Sequence, residues 1–305
     1  MPATGGSEPG DSRGTLYVVA TPIGNLDDLS GRAVRVLADV DVVACEDTRH
    51  SRALLGRVGS LARRIAHHDH NERASAQGIV ALLDGGESVA LICDAGTPSI
   101  SDPGMSVVEL ARENGHRIVA VPGPSAVIAA LSVAGLPTDR FSFEGFLPSA
   151  AGKRRAKLRS LAQARRLFGG TTLVFYESPA RLATTLEEIA SILGAAEVAL
   201  CRELTKVHEE VLRGTARELA TRLCAQAPRG EAVLIVDTRG AMPPDPRSES
   251  AAELDSPWEP RARELLQAGV GEREAVRTLR REGVPKESAR SAVAAAKTRP
   301  AGERA

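Results

Sequence analysis

The chain has 305 residues, of which 43% are hydrophobic, and its 39 Lys and Arg residues balance 39 Asp and Glu residues. This length is enough to bury about two ordinary cores, and the balanced total charge neither favours nor excludes a nucleic-acid partner. No apolar stretch approaches the roughly 20 residues that cross a bilayer, so we expect no membrane-spanning helix.

The N-terminal residues and the cysteines indicate the compartment in which the protein is expected. Residues 1–13 are rich in Gly, Ser and Pro, with no apolar run and no basic start, which predicts a disordered leader and not a signal peptide. The four cysteines form no C-x-x-C pair; they are Cys45, Cys93, Cys201 and Cys224. Such spacing indicates reduced thiols, and we therefore expect a cytoplasmic protein.

Between residues 14 and 137, short β-branched runs alternate with helix-length amphipathic segments. The predicted strands cover residues 16–20, 41–45, 64–67, 89–93 and 117–121. The predicted helices begin near Ser30, Thr48, Glu72, Pro103 and Ser125. Each of these helices is opened by a capping residue or by a proline in the first turn. The alternation predicts an α/β domain with a mostly parallel sheet that is covered on both faces.

Residues 138–238 are predicted to form a second α/β domain with a mixed sheet. The strands cover residues 141–147, 171–176, 198–204, 210–213 and 232–237, and the helices cover residues 181–193 and 215–224. The strands at 198 and 210 are close enough in sequence to form a hairpin. Residues 239–257 have a linker composition, and residues 258–305 predict a small basic appendage of short helices.

Three of the predicted strands end in loops that are rich in Gly, Pro and Ser. The loops are TPIGNLDD at 21–28, DAGTPSISDPG at 94–104 and PGPSA at 122–126. In open α/β sheets, ligands bind at the carboxyl ends of the strands, and small residues let a ligand approach the backbone. The three loops therefore predict a pocket. The first loop contains only Gly24, which disfavours the three-glycine dinucleotide motif.

A positively charged segment follows in the second domain. Between Gly145 and Tyr176 there is no acidic residue, whereas the basic residues are Lys153, Arg154, Arg155, Lys157, Arg159, Arg165 and Arg166. Such an unbalanced segment can neutralise phosphates, so we expect contact with RNA; a solvated helix face is the alternative. The C-terminal appendage carries a weaker basic patch.

The run His67, His68, Asp69 and His70 contains residue types that bind metals. Consecutive residues of an extended segment point to opposite faces, so these side chains do not converge on one ion. We therefore predict no metal site.

Seven sequence blocks follow one another in a fixed order. They are TPIGNL (21–26), EDTR (46–49), DAGTPSISDPG (94–104), VPGPSA (121–126), FEGFLP (143–148), FYESP (175–179) and RELTK (202–206). These blocks resemble the signature blocks of the ribosomal RNA small subunit methyltransferase I family, in the tetrapyrrole methylase superfamily. The resemblance covers residues 14–238 without a gap.

This resemblance implies an α/β fold of class III methyltransferases, with two domains and S-adenosylmethionine in the cleft between them. It also implies a homodimer that methylates the ribose 2′-hydroxyl of a cytidine in 16S ribosomal RNA, with naked RNA or the 30S subunit as substrate. By block, the cofactor would contact Pro22, Asp94, Gly96, Thr97, Ser125, Ala126, Tyr176, Glu231 and Ala232. RNA would contact Asn25, Arg49, Lys153, Arg154, Arg155 and Arg159.

The acceptor chemistry suggests catalytic candidates. A neutral ribose hydroxyl is a poor nucleophile, and a nearby carboxylate or neutral amine would take its proton during transfer. The candidates are Glu46, Asp47, Glu203 and Lys206. Alternatively, these residues form ion pairs around Arg49 and Arg202 that only support the fold.

Two further functions stay open at this point. The same fold could methylate a tetrapyrrole or a protein side chain, or the chain could be a non-catalytic RNA-binding assembly factor. The EDTR and FEGFLP blocks and the basic segment favour RNA as substrate. The intact loops at Asp94 and Ser125 favour an enzyme that binds a cofactor.

Overall fold

A computed structural model of the protein describes residues 13–68, 71–225, 229–240 and 258–282, together with residues 284, 289–290, 292–294 and 296. The predicted leader up to residue 12, residues 241–257 of the predicted linker and most of the last predicted helix lie outside the described residues. The chain divides into two compact units, one that ends at Pro243 and one that begins at Pro244.

The first sheet consists of five parallel strands in the order β3-β2-β4-β1-β5. The strands are β1 (Thr15–Val19), β2 (Val42–Cys45), β3 (Arg63–Ala66), β4 (Val89–Leu91) and β5 (Arg117–Val121). One helix follows each strand: α1 (Gly31–Asp39), α2 (Ser51–Arg57), α3 (Glu72–Asp84), α4 (Met105–Glu113) and α5 (Ala126–Val133). The predicted parallel α/β arrangement is confirmed.

Both faces of the first sheet are buried because successive side chains of a strand point to opposite faces. In β2, Val42 and Ala44 pack with the apolar residues of α3 and α4, whereas Val43 and Cys45 pack with those of α1 and α2. All five strands run in the same direction. The loops that follow them therefore meet at a single edge of the sheet.

The second sheet is mixed and has the order β6-β7-β10-β8-β9. Its strands are β6 (Phe141–Phe146), β7 (Thr172–Glu177), β8 (Glu197–Arg202), β9 (Glu210–Thr215) and β10 (Ala232–Asp237). Only β6 and β7 are parallel, and the other neighbours are antiparallel. The accompanying helices are α6 (Ala151–Phe168), α7 (Leu182–Leu193) and α8 (Ala216–Ala225). The predicted mixed sheet and the predicted β8–β9 hairpin are confirmed.

Helix α6 is the element that the sequence pattern did not single out. Its buried positions are Arg154, Leu158 and Ala162. The Arg154 guanidinium donates from Nε and Nη2 to the Glu188 carboxylate on α7, at 2.6 and 3.1 Å. It also donates to the carbonyl oxygen of Ser149 at 3.1 Å. A paired arginine within the buried stripe interrupts the apolar periodicity by which a helix is predicted.

Helix α5 joins the two sheets. In β7, Leu173 and Phe175 pack towards α6, α7 and α8, whereas Val174 packs with Val127 and Ala130 of α5. The last helix of the first sheet thus covers one face of the second sheet. This packing sets the carboxyl edge of the first sheet beside one edge of the second.

The second unit contains α9 (Glu259–Gln267) and α10 (Glu272–Arg281), close to two of the predicted short helices. Its small core includes Ala262, Ala275, Leu279, Ala292 and Val293. In the part of the chain that the structure describes, no helix combines the length and the apolar character that crossing a membrane requires.

Candidate active site

The loops after β1, β4 and β5 are tied together by hydrogen bonds. The Thr21 amide donates to the Gly96 carbonyl at 2.7 Å, and the Gly96 amide donates to the Thr21 carbonyl at 3.1 Å. The Thr21 hydroxyl donates to the carbonyl of Cys93 at 3.1 Å, and the Thr97 hydroxyl to that of Pro124 at 3.1 Å. The structure therefore joins the three loops that the sequence analysis singled out into one surface.

This surface borders a cavity of about 320 Å³ that residues from both sheets enclose. The first sheet contributes Ile23 and the segments 95–97, 100–102 and 125–126. The second sheet contributes Phe146, Cys201, Leu204 and the segments 176–179 and 230–233. Among the residues that line it there is no Lys, Arg or His, whereas Asp102, Glu177 and Glu231 carry carboxylates. Glu177 and Glu231 are paired with Arg181 and Lys206, so the cavity does not repel a cationic ligand chiefly because no basic side chain lines it.

Most residues predicted to bind the cofactor lie in this wall: Gly96, Thr97, Ser125, Ala126, Tyr176, Glu231 and Ala232. Pro22 and Asp94 are not part of the lining. Pro22 is buried in the loop before Ile23, and the Asp94 carboxylate accepts the Asp47 amide at 3.4 Å. Asp94 thus holds the neighbouring loop.

Of the four candidate catalytic residues, Glu46 and Asp47 lie at the end of β2, outside the cavity lining. The Asp47 carboxylate accepts the Arg49 amide at 2.7 Å and pairs with the Arg49 guanidinium at 3.2 Å. The hydrogen bond from the Arg49 side chain holds the pKa of Asp47 below its usual range. This geometry matches the alternative interpretation, in which the two residues support the loop.

The other two candidates form an ionic cluster with Glu231. The Lys206 ammonium donates to the Glu203 and Glu231 carboxylates, each at 2.9 Å, and Glu203 also accepts the Glu231 amide at 2.9 Å. A side chain at Gly24 would collide with Lys206. The cluster therefore links the loop after β8 to the start of β10 and to the loop after β1. Of Glu203, Lys206 and Glu231, only Glu231 lines the cavity.

The protonation of this cluster bears on its chemistry. The Glu231 amide, and then Lys206, lower the pKa of Glu203. Partial burial lowers the pKa of Lys206, but its hydrogen bonds to Glu203 and Glu231 outweigh burial and raise the pKa overall. Lys206 is therefore an ammonium ion at neutral pH, and it cannot accept a proton as a neutral amine.

Backbone strain is concentrated around the cavity. The described residues other than glycine with positive φ are Ser99 (71°), Ser101 (65°), Glu203 (48°) and Thr205 (67°). They flank Ile100 and Leu204, which line the cavity from opposite sheets. Such conformations cost on the order of 1 kcal/mol or more each and are found at functional sites.

The cavity also contains residues that the sequence analysis did not select. Glu177 is fully buried, and its carboxylate accepts hydrogen bonds from the Ser178 amide (2.7 Å), Arg181 (2.7 Å) and Thr185 (2.8 Å). Next to Glu177, the predicted cofactor contact Tyr176 packs edge to face against Phe143 and Phe146, with ring centroids 4.9 and 5.4 Å apart. Burial, and then the charge of Asp102, raise the pKa of Tyr176 to about 12.

Other unselected residues, Ile100, Asp102 and Phe146, lie within the blocks DAGTPSISDPG and FEGFLP. Their presence in these blocks was the only signal that the sequence offered. Which side chains of a block face the cavity depends on the turns that the block adopts.

The predicted RNA-binding residues differ in their exposure. Lys153, Arg155 and Arg159 lie exposed on α6. Asn25 is exposed and caps a short turn, where its side chain accepts the Asp27 amide at 3.0 Å, and Arg49 is exposed beside Asp47. Arg154, by contrast, is only 4% exposed and is held by Glu188. Its guanidinium faces the protein interior, so the geometry gives no support to its inclusion in this set.

In the described ranges, no group of three or more His, Cys, Asp or Glu side chains could hold a metal ion. His67 is buried, and its Nδ1 lies 2.7 Å from the Ser75 hydroxyl. Asp69 and His70, the other part of the histidine-rich run, lie outside the described residues.

Comparisons with known proteins agree with this architecture. Residues 15–220 match the family model "Tetrapyrrole (Corrin/Porphyrin) Methylases". Cobalt precorrin-4 methyltransferase CbiF has a TM-score of 0.54 at 19% identity, with 74% of this chain and 96% of that chain covered. Uroporphyrin-III C-methyltransferase from Thermus thermophilus, complexed with S-adenosylhomocysteine, has a TM-score of 0.51 at 19% identity, with 73% and 97% covered. At this identity, these two likenesses concern the fold.

Curated relatives are much closer in sequence. The ribosomal RNA small subunit methyltransferase I of Mesorhizobium japonicum is 47% identical over 242 residues, which cover 79% of each chain. The protein of the same name from Escherichia coli O157:H7 is 47% identical over 238 residues, covering 77% of this chain and 82% of the relative. The chain therefore belongs to the tetrapyrrole methylase family of S-adenosylmethionine-dependent enzymes, and within it to the family whose curated members are named ribosomal RNA small subunit methyltransferase I.

Proposed function

We propose that the protein transfers the methyl group of S-adenosylmethionine to the ribose 2′-hydroxyl of a cytidine in small-subunit ribosomal RNA. The observation that carries this proposal is the cavity, which is bordered by small residues of the strand-end loops and lined by no basic residue among those described. The relatives with 47% identity are named for ribosomal RNA of the small subunit, which supports the choice of acceptor.

The residues that line the cavity are compatible with the cofactor. S-adenosylmethionine supplies an electrophilic methyl group on a positively charged sulfur. The cavity is lined by no basic side chain that would repel the positive sulfur, and Gly96 lets a ligand approach the backbone because it has no side chain. We infer that Gly96, Thr97, Ser125 and Ala126 hold one part of the cofactor and that Tyr176 and residues 230–232 hold the other.

In our proposal the protein accelerates the reaction mainly by holding the two reactants in line. The bond between sulfur and methyl carbon breaks as the bond to the ribose oxygen forms, and the hydroxyl proton leaves to water. Lys206 is protonated and Glu203 is already paired, so neither is suited to take that proton directly. Their part is to fix the position of Glu231 beside the cavity.

The RNA is proposed to lie along α6. Arg155, Arg159 and Arg166 are exposed and fall within about 40° of one another on a helix with 100° per residue. The stripe is about 16 Å long at 1.5 Å per residue. Lys157 is partly neutralised, because its ammonium lies 2.6 Å from the Glu144 carboxylate. These three arginines form the exposed basic stripe of α6 that we propose meets successive phosphates, and Arg155 also lies 3.8 Å from the Glu188 carboxylate.

Methyl transfer is tested with small ribosomal subunits from cells that lack the protein. Purified protein and S-adenosylmethionine with a labelled methyl group are added, and the ribosomal RNA is digested and analysed by mass spectrometry. We expect label on the ribose of one cytidine, and none with the Gly96→Leu variant. Label on a base, on a ribosomal protein or on an added tetrapyrrole would overturn the proposed acceptor.

The RNA contact is tested by comparing buried and exposed arginines of the same helix. Replacing Arg155, Arg159 and Arg166 together by Ala should flatten the salt dependence of RNA binding by about 0.7 to 0.9 in log–log slope per lost contact. Cofactor affinity should be unchanged. The matched control is Arg154→Ala, which should lower thermal stability without changing the salt slope, because it removes the closer of the two guanidinium groups beside the buried Glu188 carboxylate. A triple variant with an unaltered slope would contradict the proposal.

We also propose that the enzyme is a homodimer, an expectation that comes from the family resemblance. Sedimentation at micromolar concentration tests it. A species of the 32.0 kDa chain mass alone would contradict this part and leave the cofactor site untouched.

A further inference from the structure

One aromatic side chain at the cavity is far more exposed than a folding role requires. Phe146 lines the cavity, yet it is 60% exposed. The other ring in the wall, Tyr176, is largely buried between the sheets and packs with the core residues around α5. A single exposed apolar side chain is common on protein surfaces, but an exposed ring that lines a cavity together with a second exposed apolar residue forms a patch that a ligand can cover.

The ring is held in place from behind. Phe146 is the last residue of β6, and it follows a bulge between Phe143 and Gly145, where Gly145 has φ +64°. The bulge turns the end of the strand, and the Phe146 ring then packs edge to face on Tyr176 at 5.4 Å and 61°. An edge-to-face contact with one neighbour covers at most one face of the Phe146 ring and leaves the other available for stacking.

A second apolar residue stands at the same mouth. Ile100 lines the cavity and is 42% exposed, and it lies between the strained residues Ser99 and Ser101. The end of β6 and the loop after β4 are close to each other, since a Cβ at Gly145 would lie 3.4 Å from the Ser101 hydroxyl. Ile100 and Phe146 together form what we name the apolar rim of the cavity.

We propose that Phe146 is a stacking platform for the base of the acceptor nucleotide, and that it thereby positions the ribose at the cavity. This inference rests on the proposed RNA methyltransferase function. Proteins recognise single-stranded RNA largely by stacking its bases on aromatic side chains.

The position of Phe146 favours the RNA base over the adenine of the cofactor as the stacking partner. The ring faces solvent, from which a polymeric substrate must approach. Helix α6 begins at Ala151, a few residues after Phe146, and the arginine stripe that is proposed to hold the phosphates begins about one turn into that helix. One strand of RNA can therefore meet both features, with a base at the rim and the backbone along the helix.

Steady-state kinetics with the small ribosomal subunit test the platform. Phe146→Ala should raise the KM for the subunit by roughly 5- to 150-fold, the range that loss of one stacked base produces. Phe146→Leu keeps apolar bulk without an aromatic face and should behave like Phe146→Ala, whereas Phe146→Trp should retain the parent KM. The affinity for S-adenosylmethionine, measured by calorimetry, should stay within about two-fold in all three variants.

The same strand supplies a matched control. Phe141 lies at the other end of β6, is 43% exposed and does not line the cavity. Phe141→Ala should leave the KM for the subunit unchanged. If Phe141→Ala and Phe146→Ala raise it equally, the effect is structural and the platform is refuted. A loss of cofactor affinity in Phe146→Ala that matches the rise in KM would assign the ring to adenine and also refute it.

Fluorescence provides a direct readout of stacking. The chain has a single tryptophan, so Trp258→Phe combined with Phe146→Trp leaves one fluorophore at the rim. We expect a single-stranded oligoribonucleotide to quench its emission, and an abasic oligomer of equal length and charge to leave it unchanged. Equal quenching by both would overturn the proposal. Failure of the parent enzyme to methylate RNA is a separate result, which would refute the proposed function instead.

Discussion

The two walls of the cavity are built by sheets that bring residues to an edge in different ways. In the parallel sheet every strand ends at the same edge, so the strand direction alone brings the loops after β1, β4 and β5 together. In the mixed sheet, the end of β7 meets the end of β8 and the start of β10, as the pairing of Glu177 and Arg202 with Ala232 shows. In a parallel sheet, the chain connectivity alone brings the site residues to one edge. In a mixed sheet, the direction of each strand decides which residues reach that edge.

The largest expected difference between the walls concerns two glycines. Gly96 and Gly230 both line the cavity, with φ +89° and +86°. Alanine at either position should cost about 1–2 kcal/mol of backbone strain. At Gly230 a Cβ would also overlap the Glu203 carboxyl group, whereas at Gly96 the nearest atom, Ile23 Cγ2, is 3.5 Å away.

Gly230→Ala should therefore also disrupt the hydrogen bonds of Glu203, for a total cost of about 3 kcal/mol. Urea unfolding and cofactor titration of the two variants measure the difference. Equal losses in stability and affinity would show that strain alone matters and that the ionic cluster contributes nothing to this wall.

A smaller effect is expected from the hydrogen bond that joins the loops after β4 and β5. Thr97→Val removes the hydroxyl that donates to the Pro124 carbonyl and keeps the shape of the side chain. The loss should be about 1 kcal/mol, or roughly five-fold in cofactor affinity. Thr97→Ser retains the hydroxyl and serves as the control. If Thr97→Ser weakens binding as much as Thr97→Val, the methyl group and not the hydrogen bond supports the wall.

The smallest effect, on the side of the mixed sheet, depends on pH. Glu203 has a lowered pKa, so its contribution to stability is complete above its ordinary value of 4.5 and is lost as the pH falls through the folded value. Lys206 has a raised pKa, so its contribution is complete below 10.5 and is lost as the pH rises through the folded value.

Lys206→Met should thus lower the free energy of unfolding by about 0.5 kcal/mol between pH 4.5 and pH 10.5. Well below pH 4.5 it should have no effect. The comparable change beside the first sheet, Arg49→Met, removes an exposed pair with Asp47 outside the cavity lining and should have no measurable effect. Thermal unfolding across the pH range measures both variants. A Lys206→Met effect that persists in acid would mean that packing against Gly24, and not charge, is what the lysine contributes.

The same contrast explains how far the sequence predicted the molecule. The parallel sheet, its strands and the cap at Ser30 follow from local patterns, because each βα unit repeats one rule. Helix α6 did not follow, since Arg154 occupies a buried position that only its pairing with Glu188 makes tolerable.

The candidate site was predictable as a set of loops and less so as a set of side chains. Gly96 and Thr97 stand out because small and polar residues after a buried strand are typical of ligand sites. The exposure of Phe146 depends on a bulge, and the ionic cluster brings together residues 28 positions apart. Neither arrangement has a local sequence signal.

The strained residues beside Ile100 and Leu204 have a consequence for motion. A segment that stores strain in its folded form regains that energy when it opens, so opening costs less there than in the sheets on either side. The amides of residues 99–101 and 203–205 should then exchange with deuterium well before those of β1 or β10, through fluctuations that leave both cores intact. A ligand that seals the cavity would slow exchange in these two short segments together, although they lie about 100 positions apart in the chain. The mouth of the cavity would thus open and close as one local unit, on its own timescale and without unfolding of the sheets.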